Sequence, residues 1–125
     1  MPLILVVDDE PAIRALLREA LESSGHRVLD AEDGAAGLEM ALREQPNLVL
    51  LDIRLPKLSG LDVCRWLRRN PTTASTPVLL ITGLATDNER QAGAEAGAAG
   101  LVTKPFSPAD IVSRIDDAIA TSVDR

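Results

Sequence analysis

Short apolar runs alternate along the chain with longer segments in which apolar residues recur at helical spacing. The runs that predict strands lie at residues 3–7, 48–51, 78–81 and, more weakly, 101–102. Runs without polar alternation are typical of parallel strands that are covered on both faces of a sheet. A fifth run at 27–31 is more polar, which predicts an edge strand.

The segments between these runs have the periodicity of amphipathic helices. In the first of them, apolar residues fall at i, i+3, i+4, i+7 and i+8 counted from Ile13, so they share one face. Further helices are predicted at 34–44, 60–69, 87–96 and 108–120. Ser107 is predicted to cap the last helix, because Pro108 suits its first position.

Five strand–helix pairs in strict alternation predict an α/β fold. Right-handed crossovers turn such pairs into a three-layer, doubly wound sandwich with a five-stranded parallel sheet and five helices. The flavodoxin-like strand order 2-1-3-4-5 is expected, with ligands at the carboxyl ends of the strands where the order reverses, between strands one and three. We expect one domain over residues 1–121, a last helix ending near residue 120, and a C-terminal tail or the start of a linker at 122–125.

The composition narrows the classes of function. Acidic residues outnumber basic ones, 19 against 13, and no Lys/Arg cluster lies among aromatic residues, so direct nucleic-acid binding is disfavoured. The single cysteine, Cys64, cannot form an internal disulfide and is expected to be a small buried side chain. No apolar run approaches the roughly 20 residues that span a bilayer, and no leader pattern precedes the first strand. We therefore expect a cytoplasmic protein that does not enter membranes.

Polar residues follow the predicted inner strands at one edge of the sheet. They are Asp8 and Asp9 after the first strand, Asp52 after the third, Thr82 after the fourth, and Thr103 and Lys104 after the fifth. The three aspartates flank the predicted switch point, so their carboxylates are expected to lie together. Like charges about 4 Å apart repel by about 4 kcal/mol at an effective dielectric constant near 20, so cations are expected among them.

Lys104 supplies one of these positive charges. A hard divalent cation would supply the rest, and few protein oxygens with several waters and room for a phosphate favour Mg²⁺. A carboxylate, Mg²⁺ and an ammonium group are the components of in-line phosphoryl transfer onto an aspartate. The sequence therefore predicts a phosphoacceptor site at this edge.

Each of these residues also has a purely structural interpretation. An Asp-Asp pair often caps a loop, and a lone lysine is most often solvated. Their joint position at one sheet edge favours the functional interpretation. Other polar residues lack such support: His26 is expected at the surface of a turn, Arg68 and Arg69 on a solvated helix face, and Trp66 partly packed on a helix flank.

The chain resembles the receiver domains of two-component response regulators over nearly its whole length. The motifs that carry the resemblance are Val6-Val7-Asp8-Asp9-Glu10, Leu50-Leu51-Asp52-Ile53-Arg54-Leu55-Pro56 with Ser59-Gly60-Leu61, Ile81-Thr82-Gly83, and Thr103-Lys104-Pro105-Phe106. They occur in the family's order and approximate spacing, so together they are highly specific.

The resemblance implies a phosphoprotein with a bound metal ion. Asp52 would be the residue that carries the aspartyl phosphate. Asp9, Asp52 and the backbone carbonyl of Arg54 would ligate Mg²⁺, and Asp8 would help directly or through water.

The same resemblance assigns the phosphate-binding and switch residues. Lys104 would pair with phosphoryl oxygens and Thr82 would bond to one of them, with Gly83 beside Thr82 in the same segment. The peptide bond between Lys104 and Pro105 would be cis, which proline permits at a cost of about 0.5 to 1 kcal/mol.

The chain departs from the family pattern in three respects, at four positions. Leu101 stands at the altered switch position, where many receivers have Tyr or Phe, so the usual aromatic relay is not expected. Gly83 replaces the more frequent Ala, which would leave a phosphoryl group more open to water. Ala99 and Gly100 replace an acidic pair, which argues against strong phosphorylation-driven dimerisation.

The resemblance implies a regulatory domain of a phosphorelay, not an enzyme, with slow Mg²⁺-dependent self-dephosphorylation at most. The phosphoryl group would come from a histidine kinase or a phosphotransfer protein, and binding through Thr82 and Lys104 would alter the surface. A downstream effector protein or a fused output domain would receive the signal. We expect a monomer or a weak dimer.

Other functions remain open on the sequence. A pseudo-receiver that binds partners without phosphorylation would be expected to lose part of the acceptor set, which is complete here. A phosphohydrolase with an aspartate nucleophile needs a second acid two residues later, where this chain has Arg54. A flavin carrier needs a phosphate loop rich in Ser, Thr and Gly, and the acidic residues after the first strand would repel that phosphate.

Overall fold

A computed structural model describes residues 1–123 and places strands and helices along them in strict alternation. The strands are β1 (Leu3–Val7), β2 (Arg27–Ala31), β3 (Leu48–Asp52), β4 (Val78–Thr82) and β5 (Gly100–Thr103). The helices are α1 (Pro11–Ser23), α2 (Gly34–Glu44), α3 (Gly60–Arg69), α4 (Asp87–Glu95) and α5 (Pro108–Val123). The predicted alternation is confirmed.

Helix α5 is longer than its sequence pattern predicts. An end near residue 120 was expected, but the helix continues to Val123, because neither glycine nor proline interrupts the chain there. Residues 124–125 of the expected tail lie outside the described residues.

The strands form one parallel sheet in the order β2-β1-β3-β4-β5, as the sequence predicts. In the pairing of β3 with β4, Asp52 lies opposite Ile81, and in that of β4 with β5, Thr82 lies opposite Thr103. The polar residues at the strand ends therefore share the carboxyl edge of the sheet. Only the edge strand β2 has an exposed residue at its start, which fits its more polar sequence.

Two apolar layers hold the helices against the sheet. The strands β1, β3 and β4 are almost wholly buried, so successive side chains enter opposite layers. One layer contains Leu5, Val7 and Leu51 and packs with α2 and α3, and the other contains Ile4, Val6 and Leu50 and packs with α1 and α5. Each such side chain contributes about 1.5–3 kcal/mol by leaving water, which fixes the strand ends that carry the polar residues.

Gly60 allows the loop after β3 to fold closely back on Asp52. A Cβ atom at this position would lie 2.2 Å from the backbone oxygen of Asp52, a distance that no side chain tolerates. The Gly60 N–H donates to the Ile53 carbonyl at 2.8 Å, and Ser59 caps α3 by accepting from the Asp62 N–H. The Ser59-Gly60 motif thus sets the path of the chain beside the candidate site.

Within residues 1–123, none of the helices has both the length and the apolar character needed to cross a membrane.

Candidate functional site

Lys104 lies at the centre of a cluster of carboxylates at the carboxyl edge. Its Nζ is 3.1 Å from Oδ2 of Asp8, 3.1 Å from Oδ2 of Asp52 and 3.2 Å from Oε1 of Glu10. Asp8 is fully buried and Asp52 is 5% exposed, whereas Asp9 and Glu10 are exposed at the rim. The structure thus brings together the residues that end β1, β3 and β5.

Backbone amides orient the two buried carboxylates. Oδ1 of Asp52 accepts from the Arg54 N–H at 3.2 Å, and Oδ1 of Asp8 accepts from the Glu10 N–H at 2.8 Å. Both bonds join a residue to one two positions later, as tight turns after a strand allow. Each carboxylate therefore presents its Oδ2 atom to Lys104.

Burial and the neighbouring charges shift the pKa values of Asp52 and Lys104 in opposite directions. Burial raises the pKa of Asp52 above its ordinary value, and the hydrogen bond from Lys104 partly opposes that rise. Burial also acts to lower the pKa of Lys104, but its close contacts with the negatively charged Asp8 and Asp52 carboxylates outweigh this effect and raise the pKa. Lys104 is therefore positively charged at neutral pH.

The donor set at this edge fits a hard divalent cation. Carboxylate oxygens of Asp8, Asp9 and Glu10 lie within 4.8 Å of one another. Oδ2 of Asp8 is buried and, among the described residues, accepts no hydrogen bond of normal geometry, although Lys104 is close. One ammonium faces several carboxylates, so negative charge is left over, and oxygen ligands of this kind are those that Mg²⁺ prefers.

Two neighbours of this cluster were missed by the sequence reasoning as site residues. Glu10 directly follows Asp8 and Asp9, and that adjacency was the available signal. Arg14, on the first turns of α1, donates from Nη1 to the backbone oxygen of Asp8 at 2.7 Å. Its target is a main-chain carbonyl, so no pattern of residue types indicated the contact.

Thr82 is fully buried at the end of β4, and its hydroxyl forms hydrogen bonds with Glu89 and Leu84. The hydroxyl donates to Oε1 of Glu89 at 2.9 Å and accepts from the Leu84 N–H at 3.2 Å. Oε2 of Glu89 lies 3.5 Å from Nη2 of Arg54, whose side chain is 63% exposed. Glu89 was also missed, because its contact spans a loop between β4 and α4.

Three other predicted site residues lie around this cluster. Gly83 is exposed, and a Cβ atom added there would meet nothing within 4 Å. The Lys104-Pro105 peptide bond is cis. Leu101 is partly buried in β5, opposite Leu80 of β4, and packs with the apolar layer beneath α3.

Two residues outside the cluster, Cys64 and His26, are buried, and only the first of them was expected to be. Cys64 is buried as predicted, donates to the Ala96 carbonyl at 3.3 Å and has its pKa raised by burial. The surface position expected for His26 is wrong, because the ring is 7% exposed and Nε2 lies 2.8 Å from Oδ1 of Asp116 in α5.

The solvated position expected for Arg68 is also wrong. Its guanidinium donates to the backbone oxygens of Gly97, Thr73, Ala74 and Thr76. These carbonyls belong to the turn before β5 and the loop before β4, so Arg68 closes the amino edge of the sheet. Trp66 is 53% exposed on α3.

Comparisons with known proteins agree with this arrangement. A family model described as the response regulator receiver domain matches residues 4–116. The transcriptional regulator RpaA of Synechocystis is 42% identical over 115 residues, which are 92% of this chain and 48% of that protein. The alkaline phosphatase synthesis regulatory protein PhoP of Bacillus subtilis is 43% identical over 112 residues, which are 90% of this chain and 46% of that protein. The chain thus spans about half the length of the curated relatives it matches.

Solved structures show the same fold. A CheY-like receiver domain from Methanospirillum hungatei superposes with a TM-score of 0.94 at 27% identity, covering 99% of this chain and 98% of that one. A response regulator structure from Chloroflexus aurantiacus gives a TM-score of 0.90 at 30% identity, covering 95% of this chain and 98% of that one.

Proposed function

The chain belongs to the receiver domains of two-component response regulators, and on that basis we propose that it accepts a phosphoryl group on Asp52. The observation that carries the proposal is the position of Asp52. Its carboxylate is nearly buried at the carboxyl edge, lies 3.1 Å from the Lys104 ammonium, and shares that ammonium with Asp8.

In the proposed reaction, a carboxylate oxygen of Asp52 attacks the phosphorus of a phosphohistidine. The new O–P bond forms as the P–N bond breaks, and the electron pair of that bond leaves with the imidazole nitrogen, which then takes a proton from water. Lys104 lies beside Oδ2 of Asp52 and would neutralise charge on the transferred oxygens. Thr82 would donate its hydroxyl to one of these oxygens.

Mg²⁺ would be held by Asp9, Asp52 and the backbone carbonyl of Arg54, with Asp8 assisting directly or through water. Bound there, it would neutralise negative charge on the phosphoryl oxygens. The buried Oδ2 of Asp8, which among residues 1–123 accepts no hydrogen bond of normal geometry and shares the Lys104 ammonium with other carboxylates, supports a cation at this edge. The residues of the chain orient the acceptor and hold the counter-charge.

The proposed role of the domain is regulatory. The phosphoryl group would come from a histidine kinase or a phosphotransfer protein, and would be lost slowly by Mg²⁺-dependent self-dephosphorylation. Since the relatives RpaA and PhoP are named as transcriptional regulators and are about twice as long, the signal would pass to a fused output domain or an effector protein. We place the domain at residues 1–121 of a cytoplasmic protein, as a monomer or weak dimer.

Intact-mass measurement with a small phosphodonor tests the proposal. Wild type with Mg²⁺ should gain one phosphoryl group, and Asp52→Asn should gain none. Asp117→Asn, which changes an exposed aspartate on α5, should gain the group as wild type does. An adduct that persists in Asp52→Asn, or none in wild type, would rule out Asp52 as acceptor.

A further inference from the structure

We propose that Glu89 is a positioning residue that holds the unphosphorylated state by occupying Thr82 and Arg54, and that a phosphoryl group on Asp52 displaces it. We call these two contacts of the Glu89 carboxylate the Glu89 latch. The inference rests on the proposed phosphorylation of Asp52 and adds how that event reaches α4.

The geometry of the latch joins three segments around the site. Glu89 lies in the first turn of α4, and its side chain is only 15% exposed. One carboxylate oxygen accepts a hydrogen bond from the Thr82 hydroxyl at 2.9 Å, and the other lies 3.5 Å from the Arg54 guanidinium. Thr82 ends β4 and Arg54 follows Asp52 by two residues, so Glu89 contacts both the end of β4 and the segment that follows the phosphoacceptor strand β3.

The Thr82 hydroxyl cannot serve Glu89 and a phosphoryl group together. A hydroxyl can donate one hydrogen bond, and here the Thr82 hydroxyl donates it to Glu89. A phosphoryl oxygen would compete for it, and the phosphoryl charge would repel the Glu89 carboxylate in a poorly solvated site. Once Thr82 turns to the phosphoryl group, a largely buried oxygen of Glu89 loses its donor, which favours its departure.

The local sequence offers Glu89 a second position. Thr86 caps α4 by accepting from the Glu89 N–H at 3.1 Å, and Glu89 is the third residue of the helix. This Thr-x-x-Glu spacing is a capping box, in which the glutamate side chain turns back to the backbone N–H of the capping residue. In the structure the Glu89 carboxylate contacts Thr82 and Arg54 instead.

The latch therefore has two alternative sets of partners for one side chain. In the unphosphorylated state Glu89 bonds Thr82, and in the phosphorylated state it would complete the capping box at Thr86. The exchange changes the first turn of α4 and frees the exposed Arg54 guanidinium to face the phosphoryl group. A two-state element of this kind needs no aromatic relay, which suits a chain with Leu101 at that position.

Titration of the full chain with Mg²⁺ and beryllofluoride, a phosphoryl mimic, tests the latch. Glu89→Gln keeps the shape of the side chain but removes its charge, so the mimic should bind about threefold tighter or more than to wild type. Glu89→Ala, which removes both contacts, should show at least the same gain. Glu95→Gln, on the exposed face of the same helix, should bind as wild type does.

Hydrogen exchange of residues 83–90 provides the second measurement. In wild type, exchange of the Leu84 N–H, which bonds the Thr82 hydroxyl, should rise when the mimic binds, and exchange of the Thr86 N–H should fall as the capping box forms. Glu89→Gln without the mimic should already show both changes. A merely structural glutamate would give weaker binding in the variant, so tighter binding separates the two roles.

The outcomes separate the latch from the proposed function. Wild type that binds the mimic with the same affinity as Glu89→Gln, and with the same exchange, would overturn the latch and leave phosphorylation standing. Wild type that binds no mimic would overturn both. Thermal melting verifies that each variant is folded. If Glu89→Ala does not fold, the result for Glu89→Gln alone decides between the outcomes.

Discussion

Two partly buried cations lie at opposite edges of the same sheet, Lys104 at the carboxyl edge and Arg68 at the amino edge. Arg68 donates to four backbone oxygens. These acceptors carry no net charge, and they belong to the loop before β4 and the turn before β5. Lys104 faces the carboxylates of Asp8, Asp52 and Glu10, which repel one another.

The difference between these edges separates a structural cation from one in the proposed phosphoacceptor site. The carbonyls around Arg68 use its donors without adding charge, so that edge is complete as folded. The carboxyl edge keeps excess negative charge, and within the described part of the chain the buried Oδ2 of Asp8 accepts no hydrogen bond of normal geometry. Burial and polarity are common to both edges, and uncompensated charge distinguishes the edge that we propose to be functional.

Breaking the amino edge should have the largest effect on stability. Arg68→Ala removes four hydrogen bonds from a charged donor and leaves the part-buried carbonyls of Thr73 and Thr76 without it, so the free energy of unfolding should fall by about 3 kcal/mol. Urea unfolding measures this loss. The extra stabilisation given by Mg²⁺ should be unchanged, because the metal would bind at the other edge.

Arg69→Ala is the matched control, since Arg69 is exposed on the same helix. It should cost less than about 0.5 kcal/mol. Cys64 gives an independent readout, because its buried thiol bonds the Ala96 carbonyl next to Gly97 and should react with thiol reagents faster in Arg68→Ala. Equal unfolding free energies for the Arg68 and Arg69 variants would contradict the structural role of Arg68.

Removing one carboxylate at the carboxyl edge should weaken metal binding without reducing the stability of the metal-free protein. Asp9→Ala should weaken Mg²⁺ binding by about tenfold or more, because it deletes a proposed ligand. The metal-free protein should be as stable as wild type or more so, since one of several crowded like charges is gone.

Thermal melting with and without Mg²⁺ measures both effects of Asp9→Ala. Glu39→Ala, at an exposed position of α2, is the control and should keep the full response to Mg²⁺. Equal metal-induced stabilisation in wild type and Asp9→Ala would exclude Asp9 as a ligand.

Substitutions at two glycines, one at each edge of the sheet, should have the smallest effects and test the comparison of the two edges. At the amino edge, Gly97 has φ +91° and an added Cβ would lie 2.8 Å from Cγ of Arg68, so Gly97→Ala should lose about 1 kcal/mol or more. At the carboxyl edge, Gly83 has open space, so Gly83→Ala should keep wild-type stability and slow the loss of the aspartyl phosphate a few-fold by limiting water.

Urea unfolding and the decay of the phosphoryl adduct by intact mass measure these two variants. Stability lost in Gly83→Ala, or kept in Gly97→Ala, would contradict the contrast between an open and a filled edge.

The sequence by itself determined the order of elements and the edge of the sheet where the polar side chains meet. Apolar runs separated by amphipathic segments require parallel strands joined by crossovers, because that topology buries both faces of each inner strand. Residues that directly follow these strands must then meet at one edge. Asp8, Asp52, Thr82 and Lys104 were therefore predictable from position and residue type together.

Tertiary structure alone decided which contacts form between polar side chains and groups that do not lie at the strand ends. Arg68 bonds carbonyls, which every residue carries, so no residue type in the sequence indicates them. His26 meets Asp116 across 90 residues of sequence and is buried by α5. Glu89 reaches Thr82 only because the loop after β4 turns α4 back over the site. Such contacts depend on the relative placement of packed elements within a few ångströms, which periodicity and composition do not encode.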